Sequence, residues 1–408
     1  MSILAPNFLY VSISYYPPLN AKLFIFFAIC FCCSIHITAQ NKQDYVWMFG
    51  NDQDINQEGV QGLMFDFNEV PFKPQIHTNG LSFDHVNVSR CDKNGNLLMY
   101  SNGCAVANAA HEIMMNGDSI NAGDFFDIAW FGNCRFGYPG LQDILILDDP
   151  ANDNGFYLIT KPREYDPEAD PKSFHKFIKY SYIDLNLDNG LGGVTIKNKP
   201  FFEGPMLSSY LTAIQHANQK DWWIVQPAQP DNIFYTFLLD EDGFHWIQEP
   251  RLGAPDFHDM ASASSTARFS PDGKLYAFYN VYDGLILYDF DRETGEFSNY
   301  RTFDFVPYEG NRFTSAEFSS NSRFLYLSNV DSLWQVDLWE EDLNDGKVLI
   351  DVYDGVLDPN FNGFISSALA PDCKIYIRTT SSSYSMHVIN NPNEKWRLGG
   401  IIGRFSPF

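Results

Sequence analysis

Ser265-Thr266-Ala267-Arg268-Phe269-Ser270-Pro271-Asp272-Gly273-Lys274-Leu275-Tyr276-Ala277-Phe278-Tyr279 predicts two short strands joined by a tight turn. Pro271 presets φ, Asp272 caps its own turn, and Gly273 is free to take positive φ, so the chain reverses there. Asp272 is thus turn chemistry, and its replacement by alanine is expected to cost on the order of 1 kcal/mol of stability without abolishing binding.

The same order recurs. Ala316-Glu317-Phe318-Ser319 precedes Phe324-Leu325-Tyr326-Leu327, and Ser367-Ala368-Leu369-Ala370-Pro371-Asp372 precedes Lys374-Ile375-Tyr376-Ile377. The turn positions Asp272, Asn321 and Asp372 are 49 and 51 residues apart. Earlier units are read at Val86–Tyr100, at Ile144–Leu185 and at Leu211–Leu239, with turns at Asn94-Gly95, Asp153-Asn154-Gly155 and Asn218–Lys220. Four strands per period of about 50 residues mark a propeller blade, which buries both faces of its sheet only by stacking in a ring. A sandwich has no reason to repeat this order, and the near-two periodicity excludes a helical solenoid. No amphipathic helix is evident, and Pro162–Lys172 reads as a surface loop.

Six complete units and an N-terminal pair, Tyr45–Gly50 and Gly62–Phe67, give an all-β propeller of seven four-stranded blades, with six or eight left open. The ring is expected to close through N- and C-terminal strands, the closing blade mixing Tyr45–Phe67 with chain near Trp396–Phe405. The division is a leader at 1–39 and one propeller domain at 40–408. Over the 408 residues, aromatics reach 16% and include 36 Phe and 22 Tyr, which favours half-buried strands over long helices.

The formal charge of −24 repels phosphate backbones, so nucleic acid is not an expected partner. Lys22, the apolar run Leu23–Cys33 and the small-residue end at Ala39 have the layout of a secretory signal peptide cleaved after Ala39. That run is short for a membrane span, and no transmembrane helix is expected in the mature chain. The expected location is exported: periplasm, cell surface or extracellular space. Of the cysteines left after cleavage, Cys91 and Cys104 flank a strand turn at a separation too long for a bridge, so Cys104 with Cys134 is the expected pair, against four free thiols including Cys373.

Tyr45-Val46-Trp47-Met48-Phe49-Gly50-Asn51, Asn94–Gly103, His111–Gly117, Gly190-Leu191-Gly192-Gly193-Val194 and Leu211–Asn218 resemble the secreted, WD-repeat-like β-propeller regions of Bacteroidetes-type surface proteins that stand ahead of gliding-motility or type IX secretion sorting domains. The resemblance spans nearly the whole mature chain and implies an exported or surface-displayed propeller that binds or displays. Such regions usually continue into a sorting domain, whereas the sequence ends at Phe408. Retention in the periplasm, another export route and a truncated reading frame all stay open.

Candidate sites are few. Asp52, Asp54 and Asn56 match the first ligand positions of a calcium loop, the one cofactor considered, but Gln57 and Leu63 stand where Gly and Glu belong. Asp184, Asn186 and Asp188 read instead as the outer face of a strand entering an Asn-Gly turn. Asp256, His258 and Asp259 crowd one loop, the place where propellers bind ligands, without a second histidine for zinc. His85, His111 and His216 read as hydrogen-bonded structure, and Trp222-Trp223 as blade core. No nucleophile elbow, Walker loop or dinucleotide fingerprint occurs. The leading expectation is therefore a non-enzymatic binding, adhesion or scaffold module with a protein or glycan partner at a loop-lined end. The alternatives are a hydrolase or lyase acting on extracellular carbohydrate and an accessory of a secretion or motility apparatus.

Overall fold

Strand alternation around the opening stretch explains how the sheets stack. The computed structural model describes residues 42–50, 62–77, 80–83, 86–129, 132, 137–229, 233–248, 265–280, 282–303, 313–357, 363–379, 385–396 and 402–405. In the strand Leu275–Asn280, Tyr276 and Phe278 point into one apolar core while Ala277 and Tyr279 point into another. Both faces are buried, so a sheet is needed on each side.

The described strands form seven antiparallel sheets. Blade 1 holds β1 (Val46–Phe49), β2 (Gly62–Asp66) and β3 (Gln75–His77), and blade 2 holds β4 (Val88–Cys91), β5 (Leu97–Ser101) and β6 (Val106–Asn108). Blade 3 is larger: β7 (Ile144–Asp149), β8 (Asn152–Thr160), β9 (Arg163–Tyr165), β10 (Ser173–Asp184) and β11 (Gly193–Met206). Blade 4 contains β12 (Thr212–Gln215), β13 (Trp222–Pro227), β14 (Phe234–Asp240) and β15 (Gly243–Gln248). Blade 5 contains β16 (Thr266–Phe269), β17 (Leu275–Asn280), β18 (Gly284–Phe290) and β19 (Phe297–Phe303). Blade 6 is built from β20 (Thr314–Phe318), β21 (Phe324–Asn329), β22 (Ser332–Asp337) and β23 (Lys347–Val352), and blade 7 from β24 (Ser366–Leu369), β25 (Ile375–Arg378), β26 (Met386–Ile389) and β27 (Ile402–Phe405).

Seven apolar cores lie between these sheets, one for each adjacent pair. Val46 and Met48 pack with Phe83 and Tyr100 between blades 1 and 2, and the series runs round to Phe324 with Ile377 between blades 6 and 7. The seventh core joins the last blade to the first, where Phe65 and Phe67 meet Tyr376 and Val388. Tyr376 lies about edge-on to Trp47, Phe65 and Phe67 at centroid distances of 6.1, 6.0 and 6.1 Å. The sheets thus close into a seven-bladed β-propeller.

Closure differs from expectation in one respect. The blades of the N- and C-terminal strands do meet, but β27 pairs with β26 and β1 with β2, so no described sheet mixes the two ends. Aromatic packing joins them instead. Two local readings also change. Part of Pro162–Lys172 is not loop, since β9 pairs with β10 through Glu164 and Phe174. The strand expected to carry Asp184, Asn186 and Asp188 ends at Asp184, and Asp188 starts a short 3-10 turn.

The repeated turn is held by a local network. Ser270 Oγ donates to Asp272 Oδ1 at 2.7 Å and accepts from the Leu275 N–H at 3.0 Å; Ser319 does the same with Asn321 and Phe324 at 2.7 and 2.9 Å. The residue after Asp272, Asn321 and Asp372 takes positive φ each time: Gly273 at 71°, Ser322 at 60° and Cys373 at 61°. Only the first copy uses the residue that adopts this conformation without strain.

Candidate functional site

Antiparallel pairing throughout gives the ring two distinct ends. Connections entering each innermost strand share one end with the turns between second and third strands, here the entry end. The Asp272-type turns lie at the other, the turn end.

The innermost strands line a central channel with a cavity of about 720 Å³, whose wall includes Trp47, Ser89, Gln142, Thr212, Arg268 and Ser367. Its polar side chains stitch blades together. The Gln142 amide donates from Nε2 to the Ala267 carbonyl at 2.7 Å and accepts the Ala267 N–H at 3.0 Å, linking blade 3 to blade 5. Arg268 Nε donates to Glu317 Oε2 at 3.1 Å, joining blade 5 to blade 6. Ser315 and Ser367 hydroxyls meet at 2.7 Å between blades 6 and 7, and the Ala316 N–H donates to Thr266 Oγ1 at 2.8 Å. Ser89 Oγ donates to the Val46 carbonyl at 2.5 Å. Burial pushes the Glu317 carboxyl up, against the Arg268 charge. These groups answer a specific problem: each innermost strand has an edge with no ladder partner, and buried backbone groups need one.

A second polar centre lies at the entry end between blades 3 and 4. Lys161, fully buried, follows β8 and forms an ion pair with Asp143 Oδ1 at 3.0 Å. Its Nζ also faces the Leu207 carbonyl at 2.6 Å, Gln226 Oε1 at 3.1 Å and the Ser209 carbonyl. The Ser209 N–H donates to the same Asp143 oxygen at 3.1 Å. Burial, the largest single influence, would raise the Asp143 carboxyl, but the Lys161 charge and hydrogen bond together with the charges of His175 and Arg163 outweigh it and hold the carboxyl below the usual range. For Lys161 burial wins, pulling its pKa down to about 8. The chain from Leu207 to Ser209, which carries blade 3 into blade 4, is thereby fixed by a buried charge. Other blades place amides near this point: Asn102 donates to the Ser82 carbonyl at 3.1 Å, and Asn280 caps the Tyr282 and Asp283 N–H groups at 2.7 Å each.

The expected site residues fall as follows. Asp52, Asp54 and Asn56, Asp256, His258 and Asp259, and also His85 and Cys134, lie outside the described residues. The strand ends that flank the Asp256 segment, Gln248 and Thr266, are at the entry end. Cys104 is disulfide-bonded to a cysteine outside the described residues, while Cys91 and Cys373 are free. His111 Nδ1 meets the Tyr100 hydroxyl at 3.1 Å. His216 donates from Nε2 to the Glu293 carbonyl at 3.0 Å and accepts the Asn218 N–H at Nδ1, also at 3.0 Å. Trp223 is buried in the core between blades 4 and 5, whereas Trp222 is partly buried and reaches the channel. Among the described residues no three His, Cys, Asp or Glu side chains gather as a metal site, and no helix is long and apolar enough to cross a membrane. The Lys161 centre escaped sequence reading; the one available signal was a lysine at a strand end directly before Pro162.

No protein-family model matches the chain, and no curated protein matches it. Among solved structures it is similar to a candidate 6-phosphogluconolactonase from Bacteroides uniformis, at 13% identity and TM-score 0.47 over 86% of this chain and 92% of that one. It is also similar to the Dos1 propeller, at 10% identity and TM-score 0.40 over 81% and 76% of the two chains. The β-propeller domain of Cps50 (Swd1) from Myceliophteria thermophila gives 9% identity and TM-score 0.40 over 84% and 94%. The class of this protein, a seven-bladed β-propeller, rests on its own seven sheets and seven cores.

Proposed function

We propose that the protein is an exported, non-enzymatic β-propeller that serves as a binding, adhesion or scaffold module at the cell envelope or surface, with a protein or glycan partner on the entry end. The observation that carries this reading is the asymmetry of the two ends. At the turn end, polar groups close on the neighbouring turn: the Asp272 N–H donates to Ser322 Oγ at 3.1 Å, and Ser320 Oγ meets Asn393 Oδ1 at 3.2 Å. At the entry end lie the strand ends Gln248 and Thr266, and Val352 and Ser366, each pair separated by more than ten residues of sequence. Long connections on a rigid ring are where recognition concentrates.

Export is supported by the basic-apolar-small order of Lys22 to Ala39 and by the Cys104 disulfide, which suits an oxidising compartment. The charge of −24 favours solubility and disfavours polyanions. The resemblance to surface-protein propellers supports display over catalysis. Fractionation with mass spectrometry of the N-terminus tests the reading: a chain starting at Gln40 outside the cytoplasm is expected, and an uncleaved chain confined to the cytosol contradicts it.

A further inference from the structure

The chain leaving blade 6 at the entry end is pinned by hydrogen bonds yet shows apolar side chains to solvent. After β23 the Tyr353 N–H donates to the Asp331 carbonyl at 2.8 Å, on the turn between β21 and β22. The Tyr353 hydroxyl donates to the Val356 carbonyl at 3.0 Å, and the Val356 N–H donates to Asp354 Oδ1, also at 3.0 Å. Between them Gly355 takes φ 79°, which glycine adopts without strain. The segment Val352–Leu357 is therefore a fixed turn seated on blade 6.

Its aliphatic side chains take no part in that fixing. Val352 is 53% exposed, Val356 44% and Leu357 65%, whereas Ile350 just before them is buried in the core between blades 6 and 7. A single exposed apolar residue needs no explanation, but three on one fixed turn form a patch of the kind that a second molecule covers. The charge beside it has one sign. From Asp351 to Ser367 the sequence carries Asp351, Asp354 and Asp358 and neither lysine nor arginine, and Asp331 lies on the turn to which Tyr353 is bonded. Such a rim repels an acidic segment and attracts one in which lysine or arginine flanks apolar residues. A glycan offers mainly hydroxyls, which aliphatic side chains cannot meet with hydrogen bonds.

We infer that the turn Val352–Leu357 docks a protein partner through a basic, apolar segment, whose aliphatic side chains cover Val352, Val356 and Leu357 and whose cations face Asp351 and Asp354. This inference rests on the reading of the entry end as the partner face and narrows it to a protein on blade 6. Three short fluorescein-labelled peptides probe it by fluorescence anisotropy on the purified protein at physiological salt: one alternating lysine with leucine, one with glutamate for lysine, one with serine for leucine. The first is expected to bind with Kd on the order of 100 μM, and each of the others about tenfold more weakly. Val356→Ser combined with Leu357→Ser should remove most of the advantage of leucine over serine, whereas Ile247→Ser, an equally exposed change on the outer strand of blade 4, should leave it intact. Equal affinity for the leucine and serine peptides or for the lysine and glutamate peptides overturns the inference, as does an advantage that survives the Val356 and Leu357 changes. The peptide comparison is made on the wild-type protein, so it stays decisive if a variant folds poorly. It is also separate from the test of export: an uncleaved chain in the cytosol overturns that reading alone, and lost peptide discrimination overturns this inference alone.

Discussion

Replacing Lys161 by methionine keeps the length of the stem and removes the charge that Asp143 faces. Asp143 is 3% exposed, one of its oxygens already lacks a partner, and the other would lose its cation 3.0 Å away. The Ser209 carbonyl would also lose the Lys161 N–H, whereas the Leu207 carbonyl keeps the Gln226 amide at 3.1 Å. Breaking a buried pair by removing one member costs about 3–5 kcal/mol, mostly through the charge left behind. Neutralising that charge as well should recover much of the loss, so Asp143→Asn combined with Lys161→Met should be less destabilised than the two single changes predict. Urea denaturation of the four proteins in a double-mutant cycle reads this directly, with an expected coupling of about 2 kcal/mol or more. Additive losses, or a Lys161→Met cost below about 1 kcal/mol, would refute the view of this pair as a coupled lock.

Other consequences are smaller. Asp272→Ala removes the acceptor of the Ser270 hydroxyl and of the Lys274 N–H, at 2.7 and 3.2 Å, and should lower stability by about 1 kcal/mol without affecting binding, as thermal melting will show. Cys373→Gly relieves a left-handed residue at φ 61° and should stabilise by about 1 kcal/mol, whereas Ser322→Gly at φ 60° should gain less because it deletes the acceptor of the Asp272 N–H. His175 is depressed to about 3 from 6.5, so the unfolded chain takes up a proton that the folded one refuses as pH falls through that window. Its contribution is present above pH 6.5 and lost towards pH 3, on the order of 5 kcal/mol, so acid should narrow the stability gap between wild type and His175→Gln.

What could be read in the sequence was what local chemistry decides. Pro271-Asp272-Gly273 states its own turn, and the alternation from Leu275 to Asn280 states a strand buried on two faces. Repetition then forces a ring, since no blade covers itself. Closure was not legible in the same way, because Tyr376 meets Phe65 and Phe67 through shape, with no strand pairing to announce it. The Lys161 centre was hidden for a related reason. Lys161 at a strand end looks like a solvated cation, and its partners Asp143 and Gln226 come from another strand and another blade. Nothing local in Ser173-Phe174-His175 distinguishes a strand that outruns its neighbour, so the extension of β10 beyond β8 also had no local signature.

Hydrogen–deuterium exchange on the mature protein, with and without envelope or polysaccharide from the cells that make it, is the decisive test of recognition at the entry end. Slowed exchange should appear in entry-end segments such as Leu207–Leu211 and Val330–Asp331, with no change in the turns at Asn94-Gly95, Pro271–Gly273 and Asn321–Arg323. Protection confined to those turns would contradict it.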